Sequence, residues 1–350
     1  MNNANVFFLG TQRGVRVYRG KDDQWEESGR HLSGVADCLA GSKRHPEMIF
    51  CGILKDGLYR TADAGSSWVR IFDGDVRAVT VDPTDDRVVY VGTEPVHLYR
   101  SDNIGETWEE LKNLLDLPEE VKRNWVSPQP NHAGHIRDIH IDRNDPRLIY
   151  LSIEHGGIVR TFDGGNTWED VSSGIDYLDI HKVANDPNRR DLYFVTSARG
   201  FFRSTDPSHG WGRIEQSGIT RDYFHDFLFL YGKIPVMLVA TGNESPGHWN
   251  RPGLAQSAIF RSLDGAQTWQ QVGGGLPESM EKMVWTLASP PANSTQVYAG
   301  YGQSDKGQAE TRKMPTGGGE VWFSPNQGDS WREIKLGELP PVRSMVISSF

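Results

Sequence analysis

Cysteine and long apolar runs are scarce in this sequence. Only Cys38 and Cys51 occur among 350 residues, too few for a disulfide framework. No apolar run approaches the roughly 20 residues of a membrane-spanning helix. The first ten residues hold a short apolar run without a basic segment, typical of a strand rather than a signal peptide. These absences predict a cytoplasmic protein with no membrane partner.

Positively charged residues are also fewer than negatively charged ones. Lys and Arg number 37 against 46 Asp and Glu, a formal net charge of −9. A nucleic-acid backbone usually needs a basic surface, so nucleic acid is excluded as the main partner. The sequence carries no Gly-rich phosphate loop, nucleophile elbow or Cys-paired metal motif. Function must therefore come from residues that the fold brings together.

An eight-residue motif returns six times along the chain. It begins with Ser or Thr, has Asp or Asn at the third place, usually Gly at the fifth, and ends in Trp; the copies are residues 61–68, 101–108, 161–168, 204–211, 262–269 and 324–331. Asp and Asn bond nearby backbone in tight turns, Gly supplies a positive φ, and Trp anchors the returning strand. Repeats at this interval predict a propeller built from hairpins.

Alternating apolar positions place four strands in each unit. In blade 3 we expect strands at residues 76–81, 87–92, 98–101 and 107–111. The first blade lacks an innermost strand, and residues 342–348 can supply it by pairing beside residues 5–10. The sequence therefore predicts one all-β domain, residues 1–350, folded as a seven-bladed β-propeller. A six-bladed ring with a loose terminal hairpin is the alternative.

The repeated motif resembles that of the Asp-box, or BNR-repeat, family of β-propellers. That family includes sialidases, sortilin-type receptors, xyloglucan hydrolases and a photosystem II assembly factor. The resemblance covers nearly the whole chain and implies a propeller, but the family's functions are mixed. The Phe/Tyr-Arg-Ile-Pro segment typical of sialidases is absent, so the resemblance does not extend to the sialidase catalytic signature.

Aligning the innermost strands suggests an anion site. One register collects Arg343, Ala36, Arg77, Arg137, His181, His225 and Trp285, which we expect near the upper mouth of the propeller channel. Arg77, Arg137 and Arg343 would bind a carboxylate, phosphate, sulfate or glycan-like molecule, with Trp285 and Trp249 as aromatic walls. In the alternative interpretation these arginines form ion pairs with Asp37, Asp138 or Asp226 on adjacent blades, and the register has a structural role only.

Histidines near the same register suggest two kinds of chemistry. His135, His155, His181 and His225 are candidate ligands of a divalent metal ion. Without a metal, His181 or His225 would act as general base and Glu154 or Glu244 as general acid.

These patterns favour an enzyme over a binding protein. We expect a hydrolase or lyase that acts on a small anionic molecule by hydrolysis or elimination, with or without a metal ion. The alternative is a non-catalytic scaffold that docks or assembles proteins. Three long insertions, residues 112–134, 243–256 and 303–319, are the expected functional loops.

Overall fold

A computed structural model describes residues 5–21, 24–127, 132–214, 218–231, 235–246, 255–291, 295–303 and 318–349. The strands form seven four-stranded antiparallel sheets, and the chain is an all-β, seven-bladed β-propeller. The predicted fold class is confirmed. None of the helices in the described part of the chain is long and apolar enough to cross a membrane.

Each blade uses four strands. Blade 1 contains β1 (Asn5–Thr11), β2 (Gly14–Lys21), β3 (Gln24–Leu32) and β28 (Val342–Ser349). Blade 2 contains β4 (Ala36–Gly41), β5 (Ile49–Ile53), β6 (Gly57–Thr61) and β7 (Val69–Asp73). Blade 3 contains β8 (Val76–Val81), β9 (Val89–Thr93), β10 (Leu98–Ser101) and β11 (Glu109–Glu110). Blade 4 contains β12 (His135–Ile141), β13 (Ile149–Glu154), β14 (Gly157–Thr161) and β15 (Glu169–Asp170).

The remaining blades follow the same order. Blade 5 contains β16 (Ile180–Asp186), β17 (Arg189–Ser197), β18 (Gly200–Ser204) and β19 (Gly212–Arg213). Blade 6 contains β20 (Tyr223–Leu230), β21 (Val236–Gly242), β22 (Ala258–Ser262) and β23 (Gln270–Gln271). Blade 7 contains β24 (Met283–Ala288), β25 (Val297–Gly302), β26 (Glu320–Ser324) and β27 (Arg332–Ile334).

Short helices occur only between strands in the described part of the chain. The long segment after blade 3 forms a 3-10 helix at Lys112–Asp116 and one helical turn, α1, at Glu119–Lys122. A second 3-10 helix, Pro207–His209, lies within the fourth copy of the motif. The sequence predicted an insertion at residues 112–134 but no helix in it.

The described chain clusters into two compact units. Unit 1 contains Met1–Ala36, Ala62–Trp68 and Ile214–Phe350, and unit 2 contains Asp37–Thr61 and Val69–Arg213. The second strands of blades 2 and 3, β5 and β9, are buried along their whole length in unit 2, and β21 is buried likewise in unit 1. The single-domain interpretation of residues 1–350 stays a prediction.

The chain termini meet in blade 1. β28 pairs antiparallel with β1, with Phe8 opposite Val346 and Asn5 opposite Ser349. Phe7, Leu9, Val342 and Ile347 are buried in the same apolar cluster. The expected pairing of residues 342–348 with 5–10 is confirmed, and the loose terminal hairpin of the six-bladed alternative is wrong.

The repeated motif forms a hydrogen-bonded turn. In the third copy, Thr161 Oγ1 donates to Asp163 Oδ1 at 2.7 Å and accepts from Gly165 N at 3.0 Å. Asp163 Oδ1 also accepts from Thr167 N at 2.9 Å. The fifth place has a positive φ in five of the six copies; φ is 100° at Gly165 and 67° even where Ala266 replaces glycine. In the fourth copy, Ser208 at this place lies in a 3-10 helix instead. The motif therefore shapes the turn before the outermost strand.

Removing residues 342–350 should unfold the protein cooperatively. The deletion removes β28, one of the two strands that pair with β1, and exposes the apolar face of blade 1. Thermal melting followed by circular dichroism measures the effect, with deletion of residue 350 alone as the matched control. A truncated protein that melts within about 2 °C of the parent would contradict this closure.

Asp163→Ala should lower the melting temperature more at pH 7 than at pH 2. Hydrogen bonds from Thr167 hold the pKa of Asp163 at about 2 in the folded protein. A lowered folded-state pKa contributes stability above about pH 4, which is lost as the pH falls toward 2. Asp163→Asn is the matched control, because Asn326 occupies this place in the last motif and its Oδ1 accepts from Ser330 N. Equal losses at both pH values would refute this role of the carboxylate.

Candidate functional site

The predicted register coincides with one backbone feature. In six of the sheets, the pairing of the innermost described strand with the next strand skips one residue. The skipped residues are Arg343, Arg77, Arg137, His181, His225 and Trp285. Such β-bulges re-aim a side chain and are frequent beside active sites. The alignment of these residues from sequence is thus a real structural equivalence, while their roles stay predictions.

Arg77 of β8 faces carboxylates on two sides. Its Nη2 lies 2.8 Å from Glu94 Oε2, and its Nη1 lies 3.6 Å from Asp37 Oδ2. The side chains of Asp37 and Glu94 are only 2% and 8% exposed. Burial removes water from these charges, so each must be balanced by a partner. Arg77 is therefore held as a counter-ion within unit 2.

Arg137 of β12 shares one of these carboxylates. Its Nη1 lies 3.8 Å from Asp37 Oδ2, and its Nε lies 3.6 Å from Glu154 Oε2. His135, two residues earlier, places Nε2 3.0 Å from the same Glu154 oxygen and Nδ1 3.7 Å from Glu94 Oε2. His135 therefore lies between two carboxylates.

The insertion at residues 112–134 returns to this cluster. His132 Nδ1 lies 2.8 Å from Glu94 Oε1, which also accepts from Ala133 N at 3.2 Å. Earlier in the insertion, Trp125 packs on the turn after β13, where a Cβ added to Gly156 would lie 2.7 Å from its ring. The insertion is thus fixed beside the ionic residues at both of these points.

A second group lies where blades 4 and 5 meet. One ligand atom each of Glu154, His155 and Asp179 lie within 4.8 Å of one another. His155 Nδ1 is 3.9 Å from Asp179 Oδ2, and His181 Nε2 is 3.5 Å from Asp179 Oδ1. Together, these side chains and the preceding ones form what we call the ionic cluster: Asp37, Arg77, Glu94, His132, His135, Arg137, Glu154, His155, Asp179 and His181.

Electrostatics fix the ionisation of Glu154. Burial alone would raise its pKa, but the charges of His135, Arg137 and His181 outweigh burial and hold the pKa well below its usual value. Glu154 is therefore a carboxylate at neutral pH. The opposite holds for the neighbouring thiol, because burial and Asp37 raise the pKa of Cys38 to about 12. Cys38 is thus neither a thiolate nucleophile nor a ready metal ligand.

The balance of charge differs from the anion site that the sequence suggested. The ionic cluster has four carboxylates and two guanidinium groups, so with neutral histidines these described side chains sum to two negative charges. Arg77 and Arg137 each face two of the carboxylates. This arrangement matches the alternative pairing with Asp37, and the binding of an anion stays a hypothesis.

Asp138 and Asp226, the other two suggested arginine partners, have a different contact. Each follows the bulge residue of its strand and reaches the backbone of the next blade. Asp138 Oδ2 accepts from Val183 N at 3.2 Å, and Asp226 Oδ2 accepts from Leu287 N at 2.7 Å. These carboxylates join neighbouring blades within each unit.

Other predicted site residues belong to unit 1. His225 is buried, with its ring centroid 4.8 Å from that of Trp285 and its Nδ1 3.4 Å from Tyr223 Oη. Trp285 donates to Gly302 O at 3.2 Å. Glu244 is exposed in the turn after β21, and Arg343 is partly buried on β28. Trp249 lies outside the described residues.

Sequence reasoning missed Asp179. Its signal was its place directly before β16, two residues ahead of His181, which is the place that His135 holds ahead of Arg137. Among the four histidines proposed as metal ligands, the structure brings His135, His155 and His181 into the ionic cluster of unit 2.

Known proteins resemble this chain at low identity, and no family model matches it. Xyloglucanase Xgh74A of Acetivibrio thermocellus is 26% identical over 294 residues, which cover 75% of this chain and 32% of that protein. A probable oligoxyloglucan-reducing end-specific xyloglucanase of Neosartorya fischeri is 20% identical over 366 residues, covering 98% and 37%. The chain thus spans about a third of the length of these curated relatives.

Solved structures support the fold. A GH74 enzyme of Niastella koreensis superposes with a TM-score of 0.61 at 15% identity, covering 93% of this chain and 46% of that one. A structure titled YCF48 bound to D1 peptide superposes with a TM-score of 0.57 at 17% identity, covering 85% and 86%. At these identities the likeness concerns the propeller fold alone.

Glu94→Ala should destabilise the protein by about 3 to 5 kcal/mol, because it leaves the buried charge of Arg77 with one partner fewer. The double variant Arg77→Leu/Glu94→Leu should lose less, since it removes both charges. Asp176→Ala breaks the exposed pair with Arg213 and is the control, with little expected change. Urea denaturation measures all three. Equal stabilities of Glu94→Ala and Asp176→Ala would show that the buried pair is unimportant.

Proposed function

We propose that the chain is a glycan hydrolase whose active site is the ionic cluster of unit 2. The observation that carries this proposal is Glu154, a carboxylate kept ionised beside imidazoles on two neighbouring blades. Support for the substrate class comes from the curated relatives, which are xyloglucanases. Neither the small anionic substrate nor the lyase reaction expected from sequence has comparable support.

Hydrolysis of a glycosidic bond needs a base for the attacking water and a proton donor for the leaving oxygen. Glu154, as a carboxylate, supplies the base. We assign the proton donor to His181, whose Nε2 lies 3.5 Å from Asp179 Oδ1, because imidazole is a common general acid. These roles reverse the sequence hypothesis, in which a histidine was the base and Glu154 the acid.

A largely neutral sugar fits the cluster better than an anion does. Three carboxylates, those of Asp37, Glu94 and Glu154, already face the two guanidinium groups. A further negative group would therefore meet positive charges that are already partly compensated. Trp125 is partly exposed and packs beside Gly156, next to His155. Its indole offers an aromatic surface of the kind on which sugar rings pack.

Glu154→Gln and His181→Ala should each lower kcat at least about 100-fold, the usual contribution of a positioned acid or base. Release of reducing ends from xyloglucan oligosaccharides and from a panel of other neutral glycans measures turnover. Asp176→Asn, an exposed substitution near blade 5, is the control and should retain parental activity.

The outcomes separate an enzyme from a scaffold. Absence of hydrolysis across the panel, with a folded protein, would overturn the proposal. Saturable binding of a protein partner that Glu154→Gln leaves intact would then favour the scaffold interpretation. Hydrolysis that is retained in both Glu154→Gln and His181→Ala would show that the active site lies outside this cluster.

A further inference from the structure

We propose that Glu154, His155 and Asp179 bind one divalent transition-metal ion. The inference goes beyond glycan hydrolysis, because metal binding defines the site and can be tested in the absence of any substrate. It also narrows the sequence hypothesis: of the four histidines suggested as ligands, it assigns His155 and adds two carboxylates.

The spacing of the donor atoms suits a single ion. One donor atom from each residue lies within 4.8 Å of the other two. His155 Nδ1 and Asp179 Oδ2 are 3.9 Å apart, too far for a hydrogen bond. Two ligands that each lie about 2.1 Å from one ion are separated by roughly 3 to 4 Å. The gap between these atoms is therefore close to the width that a bound ion requires.

Hydrogen bonding supports the same site. Oδ1 of Asp179 is buried and accepts no hydrogen bond from the described residues, although His181 Nε2 lies 3.5 Å away as an ion-pair contact. A buried carboxylate oxygen without a donor is costly unless another positive group compensates it. On Glu154, both His135 and Arg137 contact Oε2. These contacts fix the orientation of the carboxylate, as residues that contact a metal ligand commonly do.

The charge of the surroundings favours a cation. The four carboxylates of the ionic cluster outnumber its two guanidinium groups, and a neutral imidazole is the form of His155 that binds metal. A divalent ion would neutralise this excess. One imidazole with two carboxylates suits Zn²⁺, Mn²⁺ or Co²⁺ better than Ca²⁺ or Mg²⁺, which prefer oxygen ligands alone.

The backbone positions two of the three ligands rigidly. Glu154 ends β13 and His155 is the next residue, in a turn with φ of 57°. The corresponding turn of blade 2 holds Lys55 at the same φ of 57°. The turn geometry is therefore part of the blade, and the position accepts a lysine side chain. This equivalence supplies a substitution that removes the ligand and preserves the turn.

The experiment is isothermal titration calorimetry of chelator-treated protein, residues 1–350, with Zn²⁺ and with Mn²⁺ in the absence of glycan. One site per chain is expected for at least one of the two ions. His155→Lys and Asp179→Asn should each weaken binding at least about tenfold. His209→Ala, an exposed histidine on the fourth motif, and Asp176→Asn, three residues before Asp179, are the matched controls and should bind as the parent does.

Thermal melting of each variant confirms that it is folded. If neither ion binds the parent at one per chain, or if His155→Lys and Asp179→Asn bind as tightly as the two controls, the site is refuted. Loss of binding in the controls as well would assign the signal to scattered surface groups and would also refute it. Because no substrate is present, these results are independent of whether glycans are hydrolysed.

Discussion

The β-bulge in the innermost strands is the constraint on which the candidate site depends. It places an extra residue at the same point of six sheets, and in unit 2 these residues are Arg77, Arg137 and His181. Without the bulge, alternation along the strand would put successive side chains on opposite faces of the sheet. The bulge therefore places one side chain at the equivalent position of each of these sheets. The residue type at that position differs from blade to blade.

In two blades, the residue directly after the β-bulge links its blade to the next one. Asp138 and Asp226 each follow a bulge and accept a backbone N–H from the neighbouring blade, 3.2 Å and 2.7 Å away. A carboxylate that accepts a backbone N–H satisfies a donor that burial would otherwise leave costly. The residue that links neighbouring blades and the candidate site residue therefore occupy adjacent positions on one strand. Substitutions at the bulge residue itself can change chemistry while the link between blades remains.

Local patterns in the sequence predicted the blades well because turn and strand signals are local. β8 was predicted at its observed bounds, Val76–Val81, and the partners of the terminal strands were also correct. The helices at Lys112–Asp116 and Glu119–Lys122 were missed because they are only five and four residues long, shorter than the window in which a helical apolar period can be recognised. The ion-pair partners of the arginines were harder to predict. Arg77 pairs with Glu94, seventeen residues later in the chain, and a contact between such separated residues depends on how the strands and loops pack, not on a local sequence period.

The ionic cluster explains why three arginines in a sequence do not establish an anion site. A guanidinium group binds an incoming anion only to the extent that its own carboxylate partners leave its charge uncompensated. Arg77 lies 2.8 Å from Glu94 and shares Asp37 with Arg137, so two of the three arginines are already engaged within unit 2. The groups that remain in excess are carboxylates and imidazoles. Their chemistry is that of bases, proton donors and metal ligands, which is why hydrolysis and a divalent ion are the functions that this arrangement favours.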